Sequence, residues 1–310
     1  MTKILRIATR KSPLALWQAE HVGNMIKQHW PDLTIELVPM LTSGDRFLKD
    51  KLQSIGGKGL FVKELEEALL DNRADVAVHS MKDVPAALPA GLELATICKR
   101  DNPFDALVTR DSFNLETLPL QSIIGTTSLR RQAQLLAIRP DLIIKPLRGN
   151  IQTRLNKLNN GDFDAILLAV AGLQRMNLQE QINEILNDKI MLPACGQGAL
   201  GIECRVADNN IHQLIAPLND SLTATCVYAE RQVNAILGGS CHIPLAVYCY
   251  AVNAHQLVLR AKVMTTDGQT IIADSQSGNI NEAVSLADKC AENLINQGAL
   301  QLIAQAHDHL

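Results

Sequence analysis

The sequence predicts a layered α/β protein followed by a separate α+β domain. Three observations predict it. Short apolar runs alternate with amphipathic stretches through the first 200 residues, the pattern of strands separated by the helices that cover them. After Pro217 that rhythm gives way to strand-like runs set between two helical stretches, which marks a segregated α+β unit. The 310 residues exceed what one hydrophobic core organises, so two or three domains are expected.

The elements follow in order. Ile4–Ala8 reads as a strand, and Ser12-Pro13 as the N-cap and first residue of a helix reaching about His29. Thr34–Pro39 is a second strand, Lys63–Asn72 a helix, and Asp75–Ser80 and Leu92–Cys98 are strands. A similar series begins near residue 104: strands at Ala106–Thr109 and Ser122–Gly125, then a helix from about Leu129 to Ile138, capped by Ser128 and stopped before Pro140. Ile143–Pro146 is a strand, Asn150 caps a helix ended by Gly161, and Asp164–Ala169 is a buried strand. A helix over about Thr223–Leu237 then precedes strands near Leu245–Asn253, Leu257–Thr265 and Thr270–Asp274, with Asp267-Gly268 as a hairpin turn. A final helix covers about Glu282–Gln297.

Composition narrows the function. Aromatic residues make up 3% of the chain and the net charge is −3. Neither stacking platforms nor accumulated positive charge is present for nucleic acid or a membrane surface, though a local basic pocket is compatible with both figures. Met1–Arg10 carries charges where a signal peptide needs an apolar run, and the longest apolar run, Ala165–Leu173, is too short to span a bilayer. The expectation is a cytoplasmic protein. Seven cysteines form no Cys-x-x-Cys pair, which fits reduced, mostly buried thiols and gives no metal site.

The chemistry-bearing residues fall at strand ends and helix caps. His79-Ser80-Met81-Lys82-Asp83-Val84-Pro85 sets a lysine beside a carboxylate where an apolar strand ends, the place where α/β folds expose reactive groups. Arg10 precedes the Ser12 cap, Arg130 and Arg131 open the helix capped by Ser128, and Arg148 and Arg154 flank the Asn150 cap. Cations there oppose the helix dipole, so a shared anionic ligand would account for them; surface ion pairs would account for each singly. Gly56-Gly57-Lys58-Gly59 reads as a lid or a plain flexible loop, and lacks the Ser or Thr of a phosphate-binding Walker loop. Gly196-Gln197-Gly198-Ala199-Leu200-Gly201 matches the dinucleotide pattern in letters only, because Ile202-Glu203-Cys204 continues it as strand rather than helix. Cys241, in Gly238-Gly239-Ser240-Cys241-His242, is either an exposed reactive thiol or a structural cysteine.

Taken together, these segments resemble the porphobilinogen deaminase (hydroxymethylbilane synthase) family. Ile7–Ala15, Gly56–Phe61, His79–Pro85, Gly125–Arg131, Arg148-Gly149-Asn150 with Thr153-Arg154-Leu155, Gly196–Leu200, the cysteine turn and Pro244 occur in family order across almost the whole chain. The resemblance implies a transferase that condenses four porphobilinogens head to tail into hydroxymethylbilane for tetrapyrrole and haem biosynthesis, releasing ammonia each time. It implies one covalent dipyrromethane cofactor, held by a thioether to Cys241, from which water finally cleaves the product. It assigns catalysis to Asp83, and carboxylate binding to Arg10, Ser12, Lys82, Thr126, Ser128, Arg130, Arg131, Arg148, Arg154 and Arg175. Gly56, Gly57, Lys58, Gly59 and Phe61 would form a lid loop, with Phe61 packing on a pyrrole face. Asp83 is expected to be a buried acid ringed by these cations.

The implied architecture is two α/β lobes like those of periplasmic binding proteins with a cleft between them, plus a small α+β domain with a three-stranded sheet. The expected boundaries are 1–98 with 199–217, 104–193, and 221–310. Porphobilinogen is the implied partner, without nucleic acid, membrane or metal, and the implied state is a monomer. Two departures stand out: Gly238 and Ser240 where the family tends to have an acidic residue and glycine, and Phe104 where it tends to have arginine. A non-enzymatic two-lobed anion receptor and a Cys241–His242 hydrolase are the rival readings; neither accounts for both the arginines and the covalent primer.

Overall fold

A computed structural model describes residues 4–46, 61–238 and 243–308. The chain forms two compact units, Met1–Asp101 with Ala199–Ala224, and Asn102–Gly198 with Thr225–Leu310.

The first unit is built on a five-stranded sheet in the order Thr34–Met40, Ile4–Arg10, Val76–Ser80, Leu200–Arg205, Leu92–Ile97. The first three strands are parallel and Leu200–Arg205 runs against both its neighbours. Alternation along the central strands sorts the two faces. Leu5, Ile7, Val76 and Val78 pack with Ala19, Val22 and Ile26 of helix Pro13–His29. Ala8 and Ala77 turn the other way, against Leu65, Ala68 and Leu69 of helix Lys63–Leu70. Alanines on that face let the second helix approach closely. The Pro13–His29 helix starts where its sequence says it should, with Ser12 Oγ accepting from Ala15 N at 3.4 Å and Pro13 at a position needing no N–H donor.

The second unit repeats that strand order. Its sheet runs Ile143–Lys145, Ile123–Gly125, Ala165–Ala169, Asp105–Thr109, Glu184–Leu186, again three parallel strands, then one antiparallel strand, then a fifth. In both sheets the antiparallel strand is the first one the chain forms after crossing between units: Asp105–Thr109 after residue 101, Leu200–Arg205 after residue 198. The unit also holds a three-stranded antiparallel meander, Leu245–Ala251, Gln256–Met264 and Ile271–Asn279. Val247, Leu257, Leu259 and Val263 of the meander form one core with Val233, Ala287, Cys290 and Leu294 from helices Ser221–Ile236 and Ala283–Asn296. The architecture is therefore α/β in the two five-stranded sheets and α+β at the C-terminus.

Within this unit the meander docks on the second sheet's helix Leu129–Ile138. Ala133 and Leu192 share a core with Ala246, Tyr248 and Met264. Phe104 meets Tyr248 edge-on, centroids 5.9 Å apart, so the Phe104 ring serves this packing. Arg260 pairs with Asp188 at 2.6 Å.

Several elements fall outside the sequence expectations. Ile271–Asn279 runs past Asp274, because Ser275–Asn279 keeps its hydrogen-bond register with Gln256–Leu259 without apolar alternation. Glu184–Leu186 is a three-residue edge strand, too short for a period to emerge. Val170–Arg175 and Asn209–Ile215 are helices of two turns or fewer. A helix over Ala299–Asp308 follows Gly298, whose φ of +97° ends the preceding one.

Gly268 carries the meander's hairpin turn at φ +72°, buried against the second sheet's helix. A Cβ there would overlap the Ala133 carbonyl oxygen and lie 2.6 Å from Ala137 N, both backbone atoms. Gly268→Ala is therefore expected to cost about 2–4 kcal/mol through strain and overpacking, seen as a lowered urea midpoint. An unchanged midpoint would show that the two elements separate freely.

Candidate active site

In the first unit, the carboxyl ends of the parallel strands converge on one recess lined by Arg10, Ser12, Gln18, Phe61, His79, Ser80 and Asp83. Arg10 is the last residue of its strand, and its guanidinium lies 4.3 Å above the Phe61 ring, a cation–π contact that orients it. Thr9 Oγ donates to Ala15 O at 2.9 Å, tying the strand end to the first helical turn. Gln18 Nε2 donates to Ser80 Oγ at 2.9 Å. Beyond Ser80 the chain makes a single 3-10 turn, Met81–Asp83. Met81 is buried, and its Sδ packs where a side chain on residue 201 would stand. The Met81 amide donates to Ala199 O at 3.0 Å. On this anchored turn Lys82 is half-buried and Asp83 is exposed.

Asp83 is thus an exposed acid on the rim of the recess rather than the buried acid expected from the sequence. The physical reason is desolvation: a carboxylate sealed away needs a paired cation and satisfied lone pairs, whereas a strand-end turn keeps it hydrated and accessible.

A buried set of titratable groups lies beneath this turn. His79 Nε2 and Glu203 Oε2 are 2.8 Å apart, with side chains 3% and 0% exposed. Glu66, on the buried face of helix Lys63–Leu70, is pushed up to about 7 by burial first and by Glu203 second, with His79 opposing.

In the second unit the same edge carries the other cations. Ser128 Oγ accepts from Arg131 N at 3.4 Å, and Thr126 Oγ accepts from Ser128 N at 3.1 Å. Arg130 and Arg131 are both buried on one carboxylate: Arg130 Nη1 lies 2.8 Å from Asp105 Oδ2 and Arg131 Nη2 lies 2.7 Å from Asp105 Oδ1. Arg130 also donates to Leu192 O at 2.6 Å and Arg131 to Leu167 O at 2.8 Å. Burial lowers the Arg130 pKa, Arg131 adds to that, and Asp105 opposes it. Two guanidiniums against one carboxylate leave this trio with a surplus positive charge. Arg175 is buried and donates to Gly198 O at 2.7 Å. Arg154 donates to Gly149 O at 2.8 Å, and both Arg148 and Arg154 are half-buried. Asn150 Oδ1 caps its helix through Thr153 N at 2.8 Å. Gln197, within the glycine segment, donates to Asp105 Oδ1 at 3.1 Å, and Gly196 N donates to Glu230 Oε2 at 2.6 Å. A strand and not a helix follows that segment, so it is no dinucleotide loop.

Cys241, Ser240 and the loop residues Gly56, Gly57, Lys58 and Gly59 lie outside the described residues; Phe61 lies inside them. Five of the six described cysteines are buried, with burial pushing Cys204 and Cys290 up to about 12. Asp105, Glu203 and Gln197 were missed in the sequence. The available signal was a charged letter inside an otherwise apolar strand, as in Asp105-Ala106-Leu107-Val108 and Leu200-Gly201-Ile202-Glu203-Cys204.

In the first-unit recess, Arg10 and the hydroxyls of Ser12 and Ser80 are groups that can donate to a carboxylate-bearing ligand, and Asp83 is an acceptor beside them. The comparisons give that ligand its class. The model described as "Porphobilinogen deaminase, dipyromethane cofactor binding domain" matches residues 5–213, and that of the porphobilinogen deaminase C-terminal domain matches residues 224–296. The chain belongs to the porphobilinogen deaminase family, and is thus a transferase that works with a dipyrromethane cofactor. It is 62% identical over 302 residues to the porphobilinogen deaminase of Legionella pneumophila strain Lens, covering 97% of this chain and 98% of that one. The relative from strain Philadelphia 1 is 61% identical over the same length. Among solved structures, the chain is similar to the periplasmic aliphatic sulphonate binding protein SsuA of Escherichia coli, with TM-score 0.42 and 13% identity over 76% of this chain and 70% of that one. It is also similar to an arginine-specific periplasmic binding protein of Salmonella typhimurium, with TM-score 0.40 and 15% identity over 74% and 98%. Among the described residues no helix is long and apolar enough to cross a membrane.

Asp105→Ala leaves Arg130 and Arg131 without their shared carboxylate and is expected to destabilise the fold by about 3–5 kcal/mol, read from urea melts; a loss under 1 kcal/mol would mean the guanidiniums find other partners. Glu66 is neutral in both folded and unfolded chains below about pH 4.5, and ionised only in the unfolded chain from there to about pH 7. Stability therefore falls as pH rises through that window. Glu66→Gln is expected to gain on the parent protein by up to about 3 kcal/mol at pH 8, and far less at pH 5. Equal differences at the two pH values would contradict the shift.

Proposed function

We propose that this chain joins four porphobilinogens head to tail into hydroxymethylbilane, losing one ammonia at each addition, with a dipyrromethane retained on Cys241 through a thioether. The observation that carries the reading is that Arg10 and Asp83, brought from separate strand ends, line one recess with Ser12 and Ser80. The residues present fit the cofactor as they fit the substrate, since both are pyrroles bearing acetate and propionate groups. When bound, the dipyrromethane supplies the pyrrole carbon from which the chain of rings grows.

The residues divide the work by charge. Arg10, Arg130, Arg131, Arg148, Arg154 and Arg175 neutralise the carboxylates, with Lys82, Ser12, Thr126 and Ser128 adding donors. Arg130 and Arg131 are held by Asp105 before any ligand arrives, so their field needs no reorganisation during turnover. Asp83 accepts pyrrole N–H groups, faces the cationic ring left when ammonia departs, and takes up the proton released as the carbon–carbon bond forms. Phe61 keeps Arg10 oriented, and Gly56, Gly57, Lys58 and Gly59 form the loop that closes over the substrate. We assign the work to three domains, 1–98 with 199–217, 104–193 and 221–310, in a monomeric cytoplasmic enzyme.

The decisive measurement is intact mass. Protein from cells that make porphobilinogen is expected to carry an adduct of two porphobilinogens less two ammonias, absent from Cys241→Ser; an unmodified wild-type mass would refute the tether. Asp83→Ala is expected to keep the fold and lose at least about a hundredfold in kcat, and near-normal product formation would remove Asp83 from the chemistry.

A further inference from the structure

Glu66, His79 and Glu203 have no part in the reaction above, yet they sit directly behind it. His79 belongs to the strand that ends in Ser80 and leads to Asp83, and it lines the same recess as both. Antiparallel pairing sets Gly201 opposite His79 and Ala77 opposite Glu203. The small residues leave the diagonal open, and the imidazole and carboxylate meet across it. Glu66 is buried on helix Lys63–Leu70, which packs on the Ala77 face of the same sheet. Glu66 Oε1 and Glu203 Oε1 are buried and have no hydrogen-bond partner among the described residues.

Such a set is hard to explain as a stabilising device. Replacing buried ionic groups by apolar packing is commonly neutral or favourable. Two carboxyls and one imidazole, nearly free of water, are least costly when the set carries no net charge. Other charges around Glu66 are already committed or distant. Arg6 and Arg205 are held by Asp75, Arg205 also by Asp208 and the carbonyls of Leu69 and Ala74, Arg10 lies on Phe61, and Glu67 and Lys63 face solvent. Strand Leu92–Ile97 turns its one charged residue, Glu93, to His212.

We propose that Glu66, His79 and Glu203 are positioning residues that act as one unit, setting the charge at the floor of the Arg10–Asp83 recess by holding or releasing a single proton. With the proton held, the floor is neutral and Arg10 attracts substrate carboxylates undiminished. With it released, one negative charge lies behind the recess: carboxylate binding weakens and the cationic reacting ring is favoured. This deepens the proposed reaction and rests on it.

The experiment is the pH dependence of the holoenzyme with porphobilinogen between pH 6 and 8.5. Neither the carboxyls of the substrate, near 4, nor its amine, near 10, titrates in that range. In the wild type, KM and kcat are both expected to rise with pH, each by about threefold or more. In Glu66→Gln both curves should flatten; a variant that reproduces both wild-type rises, or a wild type showing neither, overturns the proposal. A structural role alone would lower activity at every pH without changing the curves. Glutamate side-chain ¹³C carboxyl shifts of substrate-free holoenzyme provide a second readout. One resonance should titrate near neutrality and move to lower pH in Glu203→Gln, whereas glutamates that are all flat above pH 6 overturn the proposal. Wild-type enzyme that fails to consume porphobilinogen would instead refute the reaction itself.

Discussion

The structure depends on how each α/β sheet disposes of one buried carboxylate on its antiparallel strand. In the second unit it is Asp105, in the first Glu203, and both side chains are 0% exposed. A buried carboxylate must be met by a cation or keep its proton. Asp105 is met by two guanidiniums, and so fixes Arg130 and Arg131 at the start of the helix that also receives the meander's hairpin. Glu203 is met by an imidazole, and so fixes His79 one residue before the strand end that presents Asp83. In both units the neutralising partner stands beside the carboxyl-end edge of the sheet, and in the second Asp105 stands there with it.

That edge follows from topology. Parallel strands deliver their carboxyl ends to one side of the sheet, and the antiparallel strand brings its amino end to the same side. Arg10, Ser80 and Leu200 therefore lie together in the first sheet, and Gly125, Lys145, Ala169 and Asp105 in the second. Within the first unit Met81 anchors on Ala199, and within the second Arg175 anchors on Gly198.

Local signals in the sequence carried a long way because their physics is local. Ser12, Ser128 and Asn150 cap helices through amides three residues on, and the cap and its partner are written side by side in the chain. The same holds for Pro13 and Gly268. The recess residues Arg10, Ser12 and Asp83 were legible for a different reason: charged and hydroxyl letters stand where strand patterns stop. The buried partners were not legible. Glu203 lies 124 residues from His79, and Asp105 lies 26 from Arg131. Their meeting is fixed by strand register, which no short window contains. The outward direction of Asp83 was missed because it depends on Met81 filling the space left by Gly201, a contact between strands distant in sequence.

The arginines divide into two physical kinds. Arg130, Arg131 and Arg175 are buried and bonded to Asp105 or to backbone carbonyls. Their charge is fixed in space and weakly screened, so it acts over distance without moving. Arg10, Arg148 and Arg154 are half-buried, with Arg10 over the Phe61 ring and Arg154 on Gly149 O. A guanidinium already held by Asp105 needs no reordering to act, whereas one that is half in water gives up hydration and some side-chain freedom before it can act in the same way.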